Sequence, residues 1–472
     1  MSLDTFLIAA VLLAGLYMAW NIGANDVANA IGTSVGSGAL TLRQACIMAA
    51  ILEFCGAFFF GSHVSETVQT GIVHTDNFAQ TPYLLVYGML SALIASGVWL
   101  QIASYYGWPV STTHSIIGAI VGFGMVSGGY EIVQWDNVAY IVSSWIISPI
   151  LGALLSYTIF SFLRRKVFYH RHPMEAAKRL TPYLVLFAVT MLGMLVVYDQ
   201  IEELKWRSTF WPSLAISLGA GGVAALISHW LIKDLKIRPS HTKRVLPYGP
   251  EVALELDKAK KHLTTVQDTS TGELHYYVSL IIEEVDNMSH SLKKEAEEEP
   301  DNSEYTAVER IFSYLQMMSA AFMAFAHGAN DVANAIGPVA AALAILTNGY
   351  LTTGAEIPAW LLGLGGLGIV VGLATWGWRV IETIGKKITE LTPTRGFCAE
   401  LAAATTVVFA SRLGMPISTT HTLVGAVIGI AFARGIGALN LGTTRDIILS
   451  WIVTVPAGAL IAAAAYSLMT AF

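Results

Sequence analysis

Ten residues, Gly23-Ala24-Asn25-Asp26-Val27-Ala28-Asn29-Ala30-Ile31-Gly32, recur without change as Gly328 through Gly337. Wound as a helix, each copy gathers its acid and amides on one face: Asn25, Asp26 and Asn29 lie together, with Val27 and Ile31 opposite. Carboxylate and amide carbonyl oxygens are hard ligands suited to a small hard cation, and Asn330, Asp331 and Asn334 offer the same set again. Polar contact between packed helices is the bland alternative, since Asn, Ala and Gly are common there. Such packing does not require ten identical residues twice.

A second pair follows each copy, Pro109-Val110-Ser111-Thr112-Thr113-His114 and Pro416-Ile417-Ser418-Thr419-Thr420-His421. The copies are 305 residues apart for the first motif and 307 for the second, so both belong to one duplicated unit. The first hexad lies in an uncharged stretch from Asn77 to Tyr130, which is too long for one straight helix and is interrupted at Gly107-Trp108-Pro109. A span, a break and a shorter helix starting near Ser115 are expected. Ser111, Thr112 and Thr113 then fall at the N-cap and first turn, where free N–H groups, hydroxyls and the positive end of the helix dipole converge on an anion. Gly414-Met415-Pro416 sets up Ser418, Thr419 and Thr420 in the same way. Ordinary capping of buried helices is the competing reading for either copy alone. Glu53 and Glu400, in otherwise apolar runs, are candidates for cation binding or proton relay. They do not align by the repeat offset and count as separate sites. His114 and His421 end their hexads and take either a proton-coupling or a structural role.

The elements that must position these groups follow from composition. Of 472 residues, 54% are hydrophobic and 13% charged, about half the charged share of a soluble protein. The stretch from Lys233 to Arg310 holds 27 of the 60 charges, 11 basic and 16 acidic. A polytopic all-α membrane protein with one hydrophilic insert fits this distribution, and a soluble multidomain enzyme does not. The net charge of −6 belongs mostly to the insert and argues against nucleic-acid binding. Expected spans are Thr5–Asn25, Ala45–Gly61, Pro82–Tyr105, Val138–Leu163, Pro182–Tyr198, Phe210–Ile232, Ile311–Ala326, Ala359–Trp376, Phe397–Ser411 and Ile447–Thr470. The start, Met1-Ser2-Leu3-Asp4, has no basic segment, so the first apolar run is expected to be a retained span.

Basic clusters at Arg164, Arg165, Lys166, Arg171, Lys178 and Arg179, and at Lys233, Lys236, Arg238, Lys243 and Arg244, flank a hairpin of two spans. They lie on one side, the cytoplasm by the positive-inside rule, and the insert goes with them. The loop with Asp199, Glu202, Glu203, Lys205 and Arg207 is balanced and expected outside. The insert is expected to be partly helical, with an acidic linker from Glu295 to Asp301. The division is 1–163 for the first repeat, 164–232 for the basic segment and hairpin, 233–310 for the insert, and 311–472 for the second repeat. Cys46, Cys55 and Cys398 have no paired or metal-ligand spacing and read as free thiols.

These motifs, with the Phe-Glu-x-x-Gly-like surroundings of Glu53, the Glu400 segment after Thr392-Pro393-Thr394 and the hydrophilic insert, resemble the inorganic phosphate transporter family. The resemblance covers both membrane halves. It implies phosphate uptake driven by sodium or protons, inverted-topology repeats with broken helices, external termini and a homodimer in the lipid bilayer, placed in a bacterial inner membrane. By motif it implies that Asp26, Asn29, Asp331 and Asn334, with Ser111–Thr113 and Ser418–Thr420, form the phosphate and sodium site. It further implies that Glu53 and Glu400 are required for transport. Sodium is the expected coupling ion, with Asn25 and Asn330 among its ligands, and no cofactor is expected. Arg412 departs from the repeat, because the first copy has Tyr105 there.

Three readings compete. A sodium-coupled phosphate symporter comes first, and a proton-coupled phosphate or metal-phosphate carrier, or a sulfate carrier on the same scaffold, second. A membrane-embedded hydrolase using Ser or Thr with His114 or His421 is third, and it leaves duplication of the whole set unexplained. A channel is disfavoured because tightly liganding sites impede rapid exit.

Overall fold

A computed structural model describes residues 2–203, 209–233, 250–297, 302–349, 357–435 and 439–471. Lys205, Arg207, Lys236, Arg238, Lys243 and Arg244, and the end of the acidic run at Glu298–Asp301, lie outside the described residues. Among the described residues seventeen α-helices run in order: α1 Leu3–Gly36, α2 Leu42–Phe60, α3 Ser62–Thr70, α4 Pro82–Tyr105, α5 Thr112–Gly128, α6 Trp135–Leu163, α7 Pro173–Glu203, α8 Phe210–Lys233, α9 Pro250–Thr269, α10 Glu273–Glu297, α11 Asn302–Asp331, α12 Ala333–Asn348, α13 Ala359–Trp376, α14 Trp378–Glu382, α15 Pro393–Arg412, α16 Thr419–Arg434 and α17 Leu441–Thr470. Among the described residues no strand forms beyond a single bridge between Val73 and Val133. Nine spans there are long and apolar enough to cross a membrane. Each expected span falls within a helix except Ala45–Gly61, which runs one residue past the end of α2 onto its C-cap, and α4 and α13 have the expected bounds. The polar α15 is not among the nine.

Contacts divide the chain into two compact units. One is 172–174 with 235–308; the other is 1–171, 175–234 and 309–472. In the smaller unit α9 and α10 form a hairpin, tied by Lys260 to Asp286 and by Gln267 Nε2 donating to Ser279 Oγ at 2.8 Å. All site motifs lie in the larger unit, where both repeats interlock: α6 of the first repeat packs on α16, and α17 of the second packs on α5.

Small residues make these crossings close, as lipid-embedded helices require, since dispersion replaces water as the driving force. A Cβ at Gly23 would lie 1.9 Å from the Ile369 carbonyl oxygen of α13, and one at Gly328 would lie 2.1 Å from the Glu53 carbonyl oxygen of α2. The first glycine of each motif copy is therefore a helix-crossing point. It also identifies Glu53 and Ile369 as equivalent places in the two halves.

Two helical hairpins carry the hexads. Pro82 at the first turn of α4 fits the fixed φ of a helix start, and α4 ends before Gly107 at φ 68°, after which Ser111 caps α5. The second hairpin repeats this with Gly414 at φ 64° and Ser418 capping α16. Both glycines hold a left-handed conformation that a side chain would strain. The half-helix begins at Thr112, three residues before the expected start, because the Ser111 Oγ accepts from the His114 N–H at 3.2 Å. The base of the first hairpin lies near the start of α6, where the His74 N–H donates to the Ile132 carbonyl. The base of the second lies at the end of α6, where Arg164 Nη1 donates to the Ala433 carbonyl at 2.5 Å. The hairpins thus enter from opposite ends of α6 and meet tip to tip.

Candidate functional site

The tips meet through reciprocal bonds. Thr113 Oγ1 donates to the Ile417 carbonyl at 3.0 Å, and Thr420 Oγ1 donates to the Val110 carbonyl at 3.1 Å. Each duplicated helix then crosses to both tips. Thr112 Oγ1 donates to Asp26 Oδ2 at 2.6 Å and Thr420 Oγ1 to Asp26 Oδ1 at 3.2 Å, while Thr419 Oγ1 donates to Asp331 Oδ2 at 2.9 Å. Asn29 Nδ2 donates to Thr420 Oγ1 at 2.8 Å, and Asn334 Nδ2 donates to Thr112 and Thr113 at 3.2 and 3.1 Å. All eight residues are buried, none more than 1% exposed. Segments separated by 300 residues close on one point.

Other expected site residues stand one layer out. Ser111 and Ser418 spend their hydroxyls on capping. Asn25 Nδ2 donates to Ser104 Oγ at 2.9 Å and to the Trp108 carbonyl at 3.1 Å, and its Oδ1 accepts from the Val110 N–H; Asn330 Nδ2 donates to Ser411 Oγ at 2.9 Å. They fix the hairpin tips to the duplicated helices. The helices differ at one point, for α1 runs unbroken through its copy while Val332 separates α11 from α12.

The two glutamates have different surroundings. His327 stands between carboxylates, its Nδ1 3.1 Å from Glu53 Oε1 and its Nε2 3.1 Å from Asp331 Oδ2, the latter too oblique for a straight hydrogen bond. Asp26, His327 and Asp331 bring ligand atoms within 4.8 Å of one another. Glu400 is instead enclosed by hydroxyls: its Oε1 accepts from Thr33 at 2.5 Å, Ser34 at 2.6 Å and Gln316 at 3.3 Å, and its Oε2 from Ser319 at 2.6 Å. His327, Thr33, Ser34, Gln316 and Ser319 were not anticipated. A signal was available, since Asn21, Asn25, Asn29 and Thr33 form a fourfold-spaced polar stripe on α1, and Gln316, Ser319, His327, Asn330 and Asn334 form another.

The available chemistry is visible in what lacks a partner. Asn29 Oδ1, Asn330 Oδ1, Asp331 Oδ1 and Glu53 Oε2 are buried oxygens with no hydrogen-bond donor. Buried polar atoms are nearly always satisfied, and unpartnered acceptor oxygens of this kind fit cations. The first N–H groups of α5 and α16 have no partner within their own helices by construction, and they fit an anion. A cleft of about 340 Å³ lined by Glu66, Thr67, Tyr140, Leu413, Gly414 and Pro416 among others leads to the tip of the second hairpin.

Arg412 has a place of its own. Its guanidinium donates to the Leu195 carbonyl and, at 3.5 Å, to that of Met194, and lies 4.8 Å from the centre of the Tyr198 ring. It fastens the second hairpin to α7, which belongs to neither repeat.

Helical spans, two half-helix starts that meet tip to tip and buried acids at their meeting point define an integral membrane protein with a buried polar site. Residues 22–462 match the model of the phosphate transporter family (PHO4), and the chain belongs to that family. It is 48% identical over 456 residues to inorganic phosphate transporter 2-1, chloroplastic, of Arabidopsis thaliana, covering 96% of this chain and 70% of that protein. The solved structure of a sodium-dependent phosphate transporter is similar at 37% identity and a TM-score of 0.77, covering 99% of this chain and all of that one.

Proposed function

We propose that the protein is a sodium-coupled symporter that takes up inorganic phosphate by alternating access. Phosphate sits between Thr112–Thr113 and Thr419–Thr420, held by the half-helix N–H groups and hydroxyls. Sodium ions at Asp26, Asp331 and the neighbouring Asn oxygens neutralise it, with Glu53 and Glu400 as further cation ligands. The observation that carries this reading is the pair of unpartnered buried oxygens, Asn29 Oδ1 and Asp331 Oδ1, on side chains that bond the threonines of a half-helix start. Sodium is a hard ion and takes oxygen ligands of this kind.

Hairpins entering from opposite ends of α6 support an inverted repeat, in which one half rocks against the other around a fixed site. A homodimer in a bacterial inner membrane, with termini outside and the insert in the cytoplasm, completes the proposal. Proton-coupled transport, of phosphate or metal-phosphate, is the retained alternative. His327 between Glu53 and Asp331 supports it, since nitrogen with two carboxylates also suits a transition-metal cation. Radiolabelled phosphate uptake into liposomes, under separately imposed sodium and proton gradients, decides. Sodium-driven uptake is expected. Uptake that persists without sodium and follows the pH gradient moves the alternative to first place.

A further inference from the structure

His114 and His421 are the third residues of their half-helices, and the site described above does not use them. Their backbone N–H groups bond to the capping serines at 3.2 and 3.1 Å, and each histidine directly follows a cradle threonine, Thr113 or Thr420. The rings meet edge to face, with centroids 4.2 Å apart and planes at 77°. Each is backed by a tryptophan: Trp145 of α6 lies 3.8 Å from His114, and Trp451 of α17 lies 3.6 Å from His421. The result is a row, Trp145–His114–His421–Trp451, spanning the seam between the hairpins.

The polar atoms of this row are nearly idle. His421 Nε2 and Trp451 Nε1 have no hydrogen-bond partner, and the His114 ring has no polar neighbour but the Trp451 backbone, although both histidines are buried. His421 Nδ1 has one long contact, 3.5 Å to the Trp145 carbonyl, which Pro149 four residues on cannot use. A buried imidazole ordinarily satisfies its nitrogens. These rings are held by their faces and edges, closer than the roughly 4.5–7 Å between centroids usual for aromatic pairs. A close-packed interior transmits such a thickness with little give.

We propose that this four-ring row is the spacer that sets the gap between the two half-helix starts, and so selects among tetrahedral oxyanions by size, favouring phosphate over the longer-bonded arsenate. The proposal rests on the phosphate reading above. His114 and His421 are thus positioning residues acting through Thr112, Thr113, Thr419 and Thr420.

The test measures phosphate KM and arsenate inhibition in sodium-energised proteoliposomes, for the wild type and for His114→Phe, His421→Phe, His114→Ala and His421→Ala. Phenylalanine keeps the ring and removes the nitrogens, whereas alanine removes the thickness. The phenylalanine variants are expected to hold the arsenate-to-phosphate ratio within about twofold, and the alanine variants to shift it toward arsenate by roughly three- to tenfold, the scale of a small volume change in a pocket. Destabilisation alone lowers uptake of both anions and leaves the ratio in place. An unchanged ratio in the alanine variants, or an equal shift in the phenylalanine variants, overturns the spacer. If the alanine variants fail to insert, Trp451→Phe, which thins the half-buried end, is read instead: a smaller shift toward arsenate supports the proposal and none overturns it. Failure of the underlying function shows separately, as a wild type without phosphate uptake.

Discussion

The centre of the site and its flanks follow different rules. At the centre the two halves nearly mirror each other, as Thr112 bonds Asp26 while Thr419 bonds Asp331, and Thr113 and Thr420 each reach a carbonyl of the opposite tip; only the second bond of Asp26, from Thr420, has no counterpart at Asp331. On the flanks the acids and their partners are not matched. Beside Asp331 stand His327 and Glu53, where the other half has Ile22 and Ile369. Beside the end of α1 stands Glu400 with Thr33 and Ser34, where the other half has Leu93, Pro338 and Val339. Duplication supplies a cradle that one anion can share, since two half-helix starts double the donors. Single-copy acids then make the two faces unequal, which on the proposed reading would let coupled ions bind and leave in order.

The largest effects are expected at the centre. Asp26→Asn and Asp331→Asn should each lower phosphate uptake by about tenfold or more, because a buried donor set left facing the wrong partner costs roughly 1–3 kcal/mol, more when charged. Discrimination against sulfate should fall as well. Phosphate near neutral pH keeps a P–OH that can donate to a carboxylate, whereas sulfate can only accept. Asp331→Asn should be the more damaging, since Asp331 also faces His327. Competition of sulfate and arsenate against labelled phosphate measures this. Equal damage breaks the claim that the flanks matter, and sulfate competing like arsenate in the wild type breaks the phosphate reading.

A smaller effect belongs to the flank. Glu53→Gln keeps the shape of the Glu53–His327 pair and removes its charge, so the sodium activation curve should shift by about tenfold, as a hydrogen bond to a charged group is worth roughly 1.5–3 kcal/mol. Sulfate discrimination should stay. A change in anion discrimination equal to that of the Asp variants would merge flank and centre into one site.

What the sequence made legible divides along the same line. The centre could be read because repetition marked it: ten identical residues, two hexads, and Gly107 and Gly414 where a turn needs a positive φ. Most spans could be read because hydropathy sets them, the more polar α15 being the exception. The flanks could not, because their meaning depends on which helices meet. His327 stands one residue before a conspicuous motif, yet its role depends on Glu53, 274 residues away. Glu400 looked like an isolated acid, and the hydroxyls that enclose it come from α1 and α11. The ring row was hidden for the same reason, since spacing fixes where His114 and His421 stand and says nothing of Trp145 and Trp451.

The smallest effect sharpens the comparison at its edge. Arg412 and Tyr105 hold equivalent places at the ends of α15 and α4, but Arg412 reaches two carbonyls of α7 and the Tyr198 ring, whereas Tyr105 is 60% exposed and meets Tyr106 edge to face at 5.3 Å. A helix carbonyl has a second lone pair free after its i+4 bond, so the guanidinium fastens α7 without unwinding it. Arg412→Met keeps much of the stem and removes the fork and the cation. It should cost about 1–3 kcal/mol, read as a lower unfolding midpoint of the purified protein. Tyr105→Ala should change stability by no more than about 0.5 kcal/mol, as exposed positions do. Neither should move the phosphate-to-sulfate ratio, because neither residue touches the tips. If Tyr105→Ala destabilises as much as Arg412→Met, the hairpins are anchored alike and the asymmetry ends at the acids. If Arg412→Met alters discrimination, the tie to α7 helps place Thr419 and Thr420, and the unmatched region extends into the cradle itself.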